Sequence, residues 1–429
     1  GLGDSVMYDV VVIGGGAAGM MAAIAASREG ASVILLEHMD CCGKKILSTG
    51  NGRCNYTNKM QGIEYYRGDD PAFVLPALEQ FGYEKTIAFF RSIGVEPKEK
   101  NGYVYPRSMQ ASSVREALLL ELKKNGVKIA VNIGIRSILP QNGHYEICTK
   151  NGDFSGKTCI LATGGKSVKS TGSDGSGFLY LVPLSHNLSD LVPALTGMQA
   201  KQPFSKDLAG IRAEAKVNLF VENAQIAQDT GEIQLTDYGL SGIPVFQVSR
   251  YAAKALQRGE NVRAEVNFLP DYSKSGHPKP DAENRPETNE LAIIRARFAS
   301  MGERSALEVL NGLLNSRLSK VLLERAGIPA EKKAAKCSER EITKLTQIIT
   351  RFSYEITGVR KFDQSQVTAG GVRTSEIHAK TMESKFHPGL YFAGEVMDID
   401  GMCGGYNLQW AWSSGYIAGV SAAKKSAHS

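Results

Sequence analysis

Six consecutive residues, Gly14-Gly15-Gly16-Ala17-Ala18-Gly19, constrain this chain more than any other feature. Residues 8–13, YDVVVI, precede them as a short apolar run of the kind found in a strand buried on both faces of a parallel sheet. A run of Ala and Met follows to Glu29 and is closed by Gly30, which predicts a helix, and residues 33–36 give a second buried strand ending at Glu37. In such a strand–turn–helix, Gly14 permits the tight turn, Gly16 lets a pyrophosphate approach the backbone, and Gly19 lets helix and strand pack closely. The amides of Ala17 and Ala18 lie at a helix N-terminus, where free N–H groups attract an anion. Glu37, 23 residues after Gly14, falls where a carboxylate accepts the hydroxyls of a ribose. An acid there disfavours a 2′-phosphate and leaves NAD or FAD as the dinucleotide.

A chain of 429 residues exceeds one ordinary core and predicts two or three domains. With 42% hydrophobic and 22% charged residues it has the composition of a globular protein. Fifty Lys plus Arg against 44 Asp plus Glu leave a net charge of +6, and the cations form no dense block. No nucleic-acid partner is therefore expected. Seven cysteines without a CxxC pair or metal-ligand spacing predict no disulfide framework, no metal site and a reducing, cytoplasmic setting. The apolar stretch near the start lacks a basic leader and carries glycines at fixed offsets, so neither a secretory signal nor a membrane span is expected.

Four later segments favour FAD over NAD. Residues 44–58, KKILSTGNGRCNYTN, replace the next strand–helix unit with a polar loop suited to lie along a ribityl and diphosphate chain, with Lys44, Lys45, Gly52, Arg53 and Cys54 as contacts. Residues 158–165 form an apolar strand ending in Ala162-Thr163-Gly164, which brings backbone to the nucleotide edge of the sheet. An alternating stretch over 127–138 precedes it, from which Ile135 offers backbone to adenine. Residues 389–395 form a further buried strand closing in Gly394 and Glu395, an acid placed for a ribityl hydroxyl. The run 404–409, GGYNLQ, then opens a helix over 410–420, so that Gly405, Asn407 and Leu408 present its positive end to the flavin N1/O2 edge.

These segments are recognisable together. The chain resembles the bacterial three-domain flavoproteins of the BaiN type, NAD(P)/FAD-dependent oxidoreductases that include aminoacetone oxidase and a bile-acid-pathway reductase. The matching stretches run nearly end to end: 14–19, 44–58, 102–106, 162–177, 239–242, 368–372, 381–385 and 394–415. The resemblance implies that the Arg53-Cys54-Asn55 and 404–409 signatures lie against FAD. One departure, Pro183 with Ser185, falls where relatives are expected to continue a helix to Gly-His, and leaves the local helix length open. The implied fold is α/β: a Rossmann-like, glutathione-reductase-like FAD-binding domain interrupted by a β-rich insert and a small helical insert. Composition places the pieces at 1–195, 196–272, 273–352 and 353–429. Turn signals fall at 229–231 and 258–259, a Pro-rich connector covers 274–287, and helical stripes fill 291–352.

The expected chemistry is that of a non-covalent FAD enzyme acting on a small organic substrate. No second dinucleotide fingerprint is present, so either NAD(P)H reaches the flavin as a transient donor or the substrate itself reduces FAD and O2 reoxidises it. An amine oxidase using O2, a flavoprotein that modifies tRNA and a non-catalytic flavin-bound regulator are the alternatives. Cys54 reads as packing rather than redox chemistry, His38 falls at the ribose end, and Arg53, Asn55 and Tyr406 are as readily structural as substrate-facing. No residue is named as catalytic.

Overall fold

The computed structural model describes residues 6–201, 204–274, 279–280 and 286–429. The chain divides into two compact units, residues 1–192 with 362–429, and residues 193–361.

The first unit is built on a mixed sheet. Strand β1 (Met7–Ile13) pairs in parallel with β2 (Val33–Leu36) on one side and with Gly152–Leu161 on the other. Lys128–Ala130 extends the sheet beyond β2, and Leu390–Phe392 runs parallel to the end of Gly152–Leu161. The start of Gly152–Leu161 instead joins an antiparallel hairpin, Ile135–Gln141 with His144–Thr149. Val10, Val11 and Val12 are fully buried, as a strand covered on both faces requires.

Helix α1 (Ala17–Arg28) lies against the C-terminal helix Tyr406–Ala427. That helix is longer than the 410–420 expected, because its Ala- and Ser-rich continuation has good helix formers and no Pro. The two helices meet backbone to backbone: a Cβ on Gly415 would lie 2.5 Å from the Ala18 carbonyl oxygen, and one on Gly419 2.3 Å from that of Ala22. Only glycine permits such an approach.

The alternating stretch over 127–138 is not one strand. Asn132 takes a left-handed conformation (φ 58°), and the chain breaks there into Lys128–Ala130 and Ile135–Gln141, which occupy different places in the sheet. Near Pro183 and Ser185 the helix is short, Ser176–Leu179, and Ser185 is left-handed (φ 62°).

The second unit contains a closed six-stranded barrel. Its strands follow one another as Met198–Lys201, Gly239–Gly242, Ala224–Leu235, Arg212–Val221, Val262–Asn267 and Phe352–Val359, which pairs back to the first. Ala215, Val217 and Leu219 alternate inward, as barrel filling demands. Helices Ile243–Gln257, Asn289–Ser300, Ser316–Ala326 and Glu339–Thr350 accompany it. Barrel residues such as Val217 and Tyr354 share one hydrophobic cluster with Leu322 and Leu345 of the helices. Two expectations change here. Residues 353–361 stay with the inserted unit, because Phe352–Val359 closes the barrel. The hairpin turns at Glu222-Asn223, both left-handed (φ 48° and 67°), whereas 229–231 continue within a strand. The connector 274–287 lies largely outside the described residues.

Candidate functional site

The glycine turn lies where β1, β2 and Gly152–Leu161 end together. The Gly14 amide donates to the Leu36 carbonyl (2.9 Å), and the Ala162 amide to that of Ile13 (2.8 Å). Gly14 takes φ 107°, and a Cβ there would fall 2.1 Å from the Ala162 carbonyl oxygen, so the turn and the Ala162-Thr163-Gly164 segment are in backbone contact. Gly19 sits against Gly14 itself, 1.7 Å from its carbonyl oxygen by the same measure. Gly16 differs: a Cβ there would meet nothing within 4 Å. Gly16 is also the N-cap of α1, which has no side-chain cap. The result is an open cradle floored by the uncapped amides of Ala17, Ala18 and Gly19.

Glu37 closes one side. One of its carboxylate oxygens accepts from the Gly15 amide (3.0 Å) and the other from the Met39 amide (2.7 Å), and the residue is 9% exposed. Each oxygen retains a further lone pair. The Ile133 amide donates to the Glu37 carbonyl (3.0 Å), which brings 133–135 alongside. The Ile135 carbonyl itself accepts from the Tyr180 hydroxyl (3.2 Å).

The third strand end joins the same place. The Ala393 amide donates to the Leu161 carbonyl (2.9 Å), the Gly394 amide to Ser414 Oγ (2.8 Å), and Trp410 Nε1 to the Gly394 carbonyl (3.3 Å). Glu395 accepts from the Thr368 amide (2.6 Å) and pairs with Lys45 Nζ (3.3 Å). Thr368 Oγ1 in turn accepts from the Lys166 amide (2.8 Å). Lys44 pairs instead with Asp40 (2.8 Å), which raises the pKa of the lysine and lowers that of the acid.

The segment beyond Lys45 is held by unusual backbone. Gly50 and Asn51 (both φ 56°), Gly52 (83°) and Cys54 (58°) are all left-handed. Cys54 is fully buried and burial pushes its thiol up to about 12, which supports a packing role and not a reactive thiolate. Gly52 and Arg53 are exposed, and the Arg53 guanidinium has no ion pair among the described residues. Asn55 Nδ2 donates to the carbonyls of Thr57 (2.8 Å) and Val104 (3.0 Å), a structural use.

Gly405 caps the C-terminal helix at φ 93°, again without a side-chain cap. Asn407 spends its side chain on Gly401, accepting from its amide (2.7 Å) and donating to its carbonyl (3.0 Å). Tyr406 is buried, donates to the Met60 carbonyl (2.7 Å) and stacks on Tyr65 at 4.5 Å, so it braces the loop. Leu408 is half-buried.

The four expected segments therefore converge within the first unit, by way of Gly14–Ala162, Leu161–Ala393, Gly394–Ser414 and Lys45–Glu395. Sequence reasoning missed the residues that join them: Ser414, Trp410 and Thr368. All three fall within the matching stretches 368–372 and 394–415, but single hydrogen bonds such as that from the Thr368 amide to a carboxylate 27 residues later leave no local pattern.

The donor set fits FAD. The open cradle at Gly16 and two uncapped helix N-termini suit its diphosphate and the electron-rich edge of its ring. Thr163 Oγ1, buried without a hydrogen-bond partner, offers one more polar contact on a segment already at the cradle. No helix among the described residues is long and apolar enough to cross a membrane. No group of His, Cys, Asp and Glu among them could hold a metal.

The model of the HI0933-like protein Rossmann domain matches residues 8–421. The chain is 41% identical to the 3-dehydro-bile acid delta(4,6)-reductase of Clostridium scindens, over 98% of this chain and 100% of that protein. It is 28% identical to the ribosomal RNA dihydrouridine synthase of Escherichia coli, over 95% and 96% of the two chains. Among solved structures, the open conformation of a flavocytochrome c3 fumarate reductase superposes with a TM-score of 0.49 at 16% identity, over 99% of this chain and 79% of that one. The chain belongs to the HI0933-like Rossmann-domain family, and it is an FAD-dependent oxidoreductase.

Proposed function

We propose that the protein reduces a carbon–carbon double bond conjugated to a carbonyl, with NAD(P)H as the transient electron donor and a cyclic, steroid-like enone as the substrate. One observation carries the reading: the relative at 41% identity is named for removing such bonds from a 3-oxo bile acid. The more distant relatives support the same bond chemistry, since a dihydrouridine differs from uridine by reduction of a ring double bond conjugated to a carbonyl. Uracil in RNA is accordingly the second substrate reading. Oxidation of amines by O2 has no comparable support.

The residues then divide the work. The amides of Ala17 to Gly19 would hold the diphosphate, Glu37 the adenosine ribose, and Glu395, fixed by Thr368 and Lys45, a hydroxyl of the ribityl chain. The amides at the start of Tyr406–Ala427 would hold the ring edge, and their positive end would stabilise added electron density there. When bound, FAD supplies the two-electron carrier. The net reaction takes a hydride equivalent from NAD(P)H to the β-carbon and a proton from solvent to the α-carbon. The units at 1–192 with 362–429 and at 193–361 are assigned as FAD-binding and inserted units.

The test is anaerobic. NADH or NADPH should bleach the flavin, and 4-androstene-3,17-dione should restore the oxidised spectrum with a product two mass units heavier. A flavin bleached by neither nucleotide, or reoxidised only by O2, refutes the proposal.

A further inference from the structure

Averaged over the chain, a charge of +6 says little; divided between the units it says more. The inserted unit, 193–361, carries 25 Lys plus Arg against 20 Asp plus Glu, hence +5, which leaves +1 for all the rest. On the outward side of its barrel is a groove of about 500 Å³. Three cross-strand pairs make its floor: Lys216 with Asn267, Asn218 with Glu265, and Phe220 with Arg263. Residues alternating along a strand are about 7 Å apart, so the floor runs for about 14 Å. Arg351 stands at its edge.

The charges in the groove are not cancelled. Arg263 spends part of its charge on Glu265 (3.0 Å) and lays its guanidinium 4.5 Å from the centroid of the Phe220 ring. Lys216 and Arg351 have no ion pair or hydrogen-bonded side-chain partner among the described residues, and Arg351 is exposed. Unpaired cations beside a guanidinium set over an aromatic ring, with Asn218 between Lys216 and Phe220 along the strand, form a track for a phosphodiester chain. The cations meet successive phosphates, and the guanidinium plane takes a stacked base.

The geometry points to this groove as a binding site for single-stranded nucleic acid. The inference does not rest on which enone the enzyme reduces, because its readout is binding and not turnover.

The test uses the FAD-loaded protein and fluorescein-labelled U12 and dT12 oligomers, read by anisotropy from 50 to 200 mM salt. Two to three phosphate contacts predict a log–log salt slope near −2 at about 0.7 per contact. K216E/R351E should weaken binding at least tenfold at 50 mM salt and flatten the slope. K320E/K344E, the same charge change at exposed helix positions of this unit, should leave binding within threefold. Preference for U12 assigns the site to RNA, and equal binding to either strand type. Ultraviolet cross-linking of a 4-thiouridine oligomer to the unaltered protein, mapped by mass spectrometry, should label 216–220 or 263–267 independently of any variant. Equal loss in both charge variants, no measurable binding at 50 mM salt, or cross-links confined to other segments would overturn the inference.

Discussion

Gly16→Val separates folding from cofactor binding. A side chain at Gly16 meets no protein atom within 4 Å, and the residue sits at φ −84°, ψ −164°, extended backbone that valine accepts. The apoprotein should therefore lose no more than about 1 kcal/mol, the usual scale of an N-cap change. The valine would instead fill the cradle over the amides of Ala17 to Gly19. Losing two hydrogen bonds to a charged diphosphate, at about 1.5–3 kcal/mol each, amounts to about 3–6 kcal/mol. That is a factor of about 10² to 10⁴ in Kd. The assay is FAD titration of deflavinated protein by calorimetry, beside the melting temperature of the apo form. Gly19→Val supplies the contrast, since its Cβ would fall 1.7 Å from the Gly14 carbonyl oxygen and should prevent folding. A Gly16→Val protein that binds FAD within threefold of the parent would refute the assignment of the cradle, whatever its stability.

Other outcomes follow from burial and titration. Of the seven cysteines, Cys42, Cys54 and Cys159 are buried; burial pushes the thiols of Cys42 and Cys54 up to about 12 and raises that of Cys159 as well. A thiol reagent at pH 8 should thus label at most four sites per native chain, and more only after unfolding. His186, buried between Glu376 (2.8 Å) and Ser384 (2.7 Å), has its pKa lowered by burial, against the pull of Glu376. Its neutral form is favoured in the fold, so its contribution is complete above about pH 6.5 and is lost as pH falls below that. Melting temperature should drop from pH 7.5 to 5.5, and His186→Gln should flatten that drop; an unchanged slope would count against the assignment. Gly419→Leu should cost several kcal/mol by forcing the C-terminal helix off α1, read as a lowered denaturant midpoint. A midpoint equal to the parent's would show that the helix contact is not tight.

The parts of the fold that were legible in the sequence are those whose physics is local. β1, the glycine turn, α1 and β2 announce themselves because turn, capping and burial all act within 30 residues. The barrel boundary was misjudged because Phe352–Val359 pairs with Met198–Lys201, about 150 residues earlier, and nothing in its own alternation says so. Residues 127–138 kept the apolar pattern of one strand, yet Asn132 in a left-handed conformation divides it. At the site, glycines and acids were visible by type and spacing. The polar groups that hold them were not, because Thr368, Ser414 and Trp410 act through single hydrogen bonds from distant parts of the chain.

The contact of α1 with the C-terminal helix also orders events in time. The two surfaces are separated by nearly the whole chain, so α1 leaves the ribosome long before its partner exists. At about 5–20 residues per second, roughly 400 residues of synthesis take about 20–80 s. Through that interval the barrel, whose strands all lie between residues 198 and 359, has its complete sequence in hand first. The apolar face of α1 must wait, a natural client for a chaperone. A chain stopped before residue 406 would therefore leave a formed insert beside a nucleotide fold that cannot close.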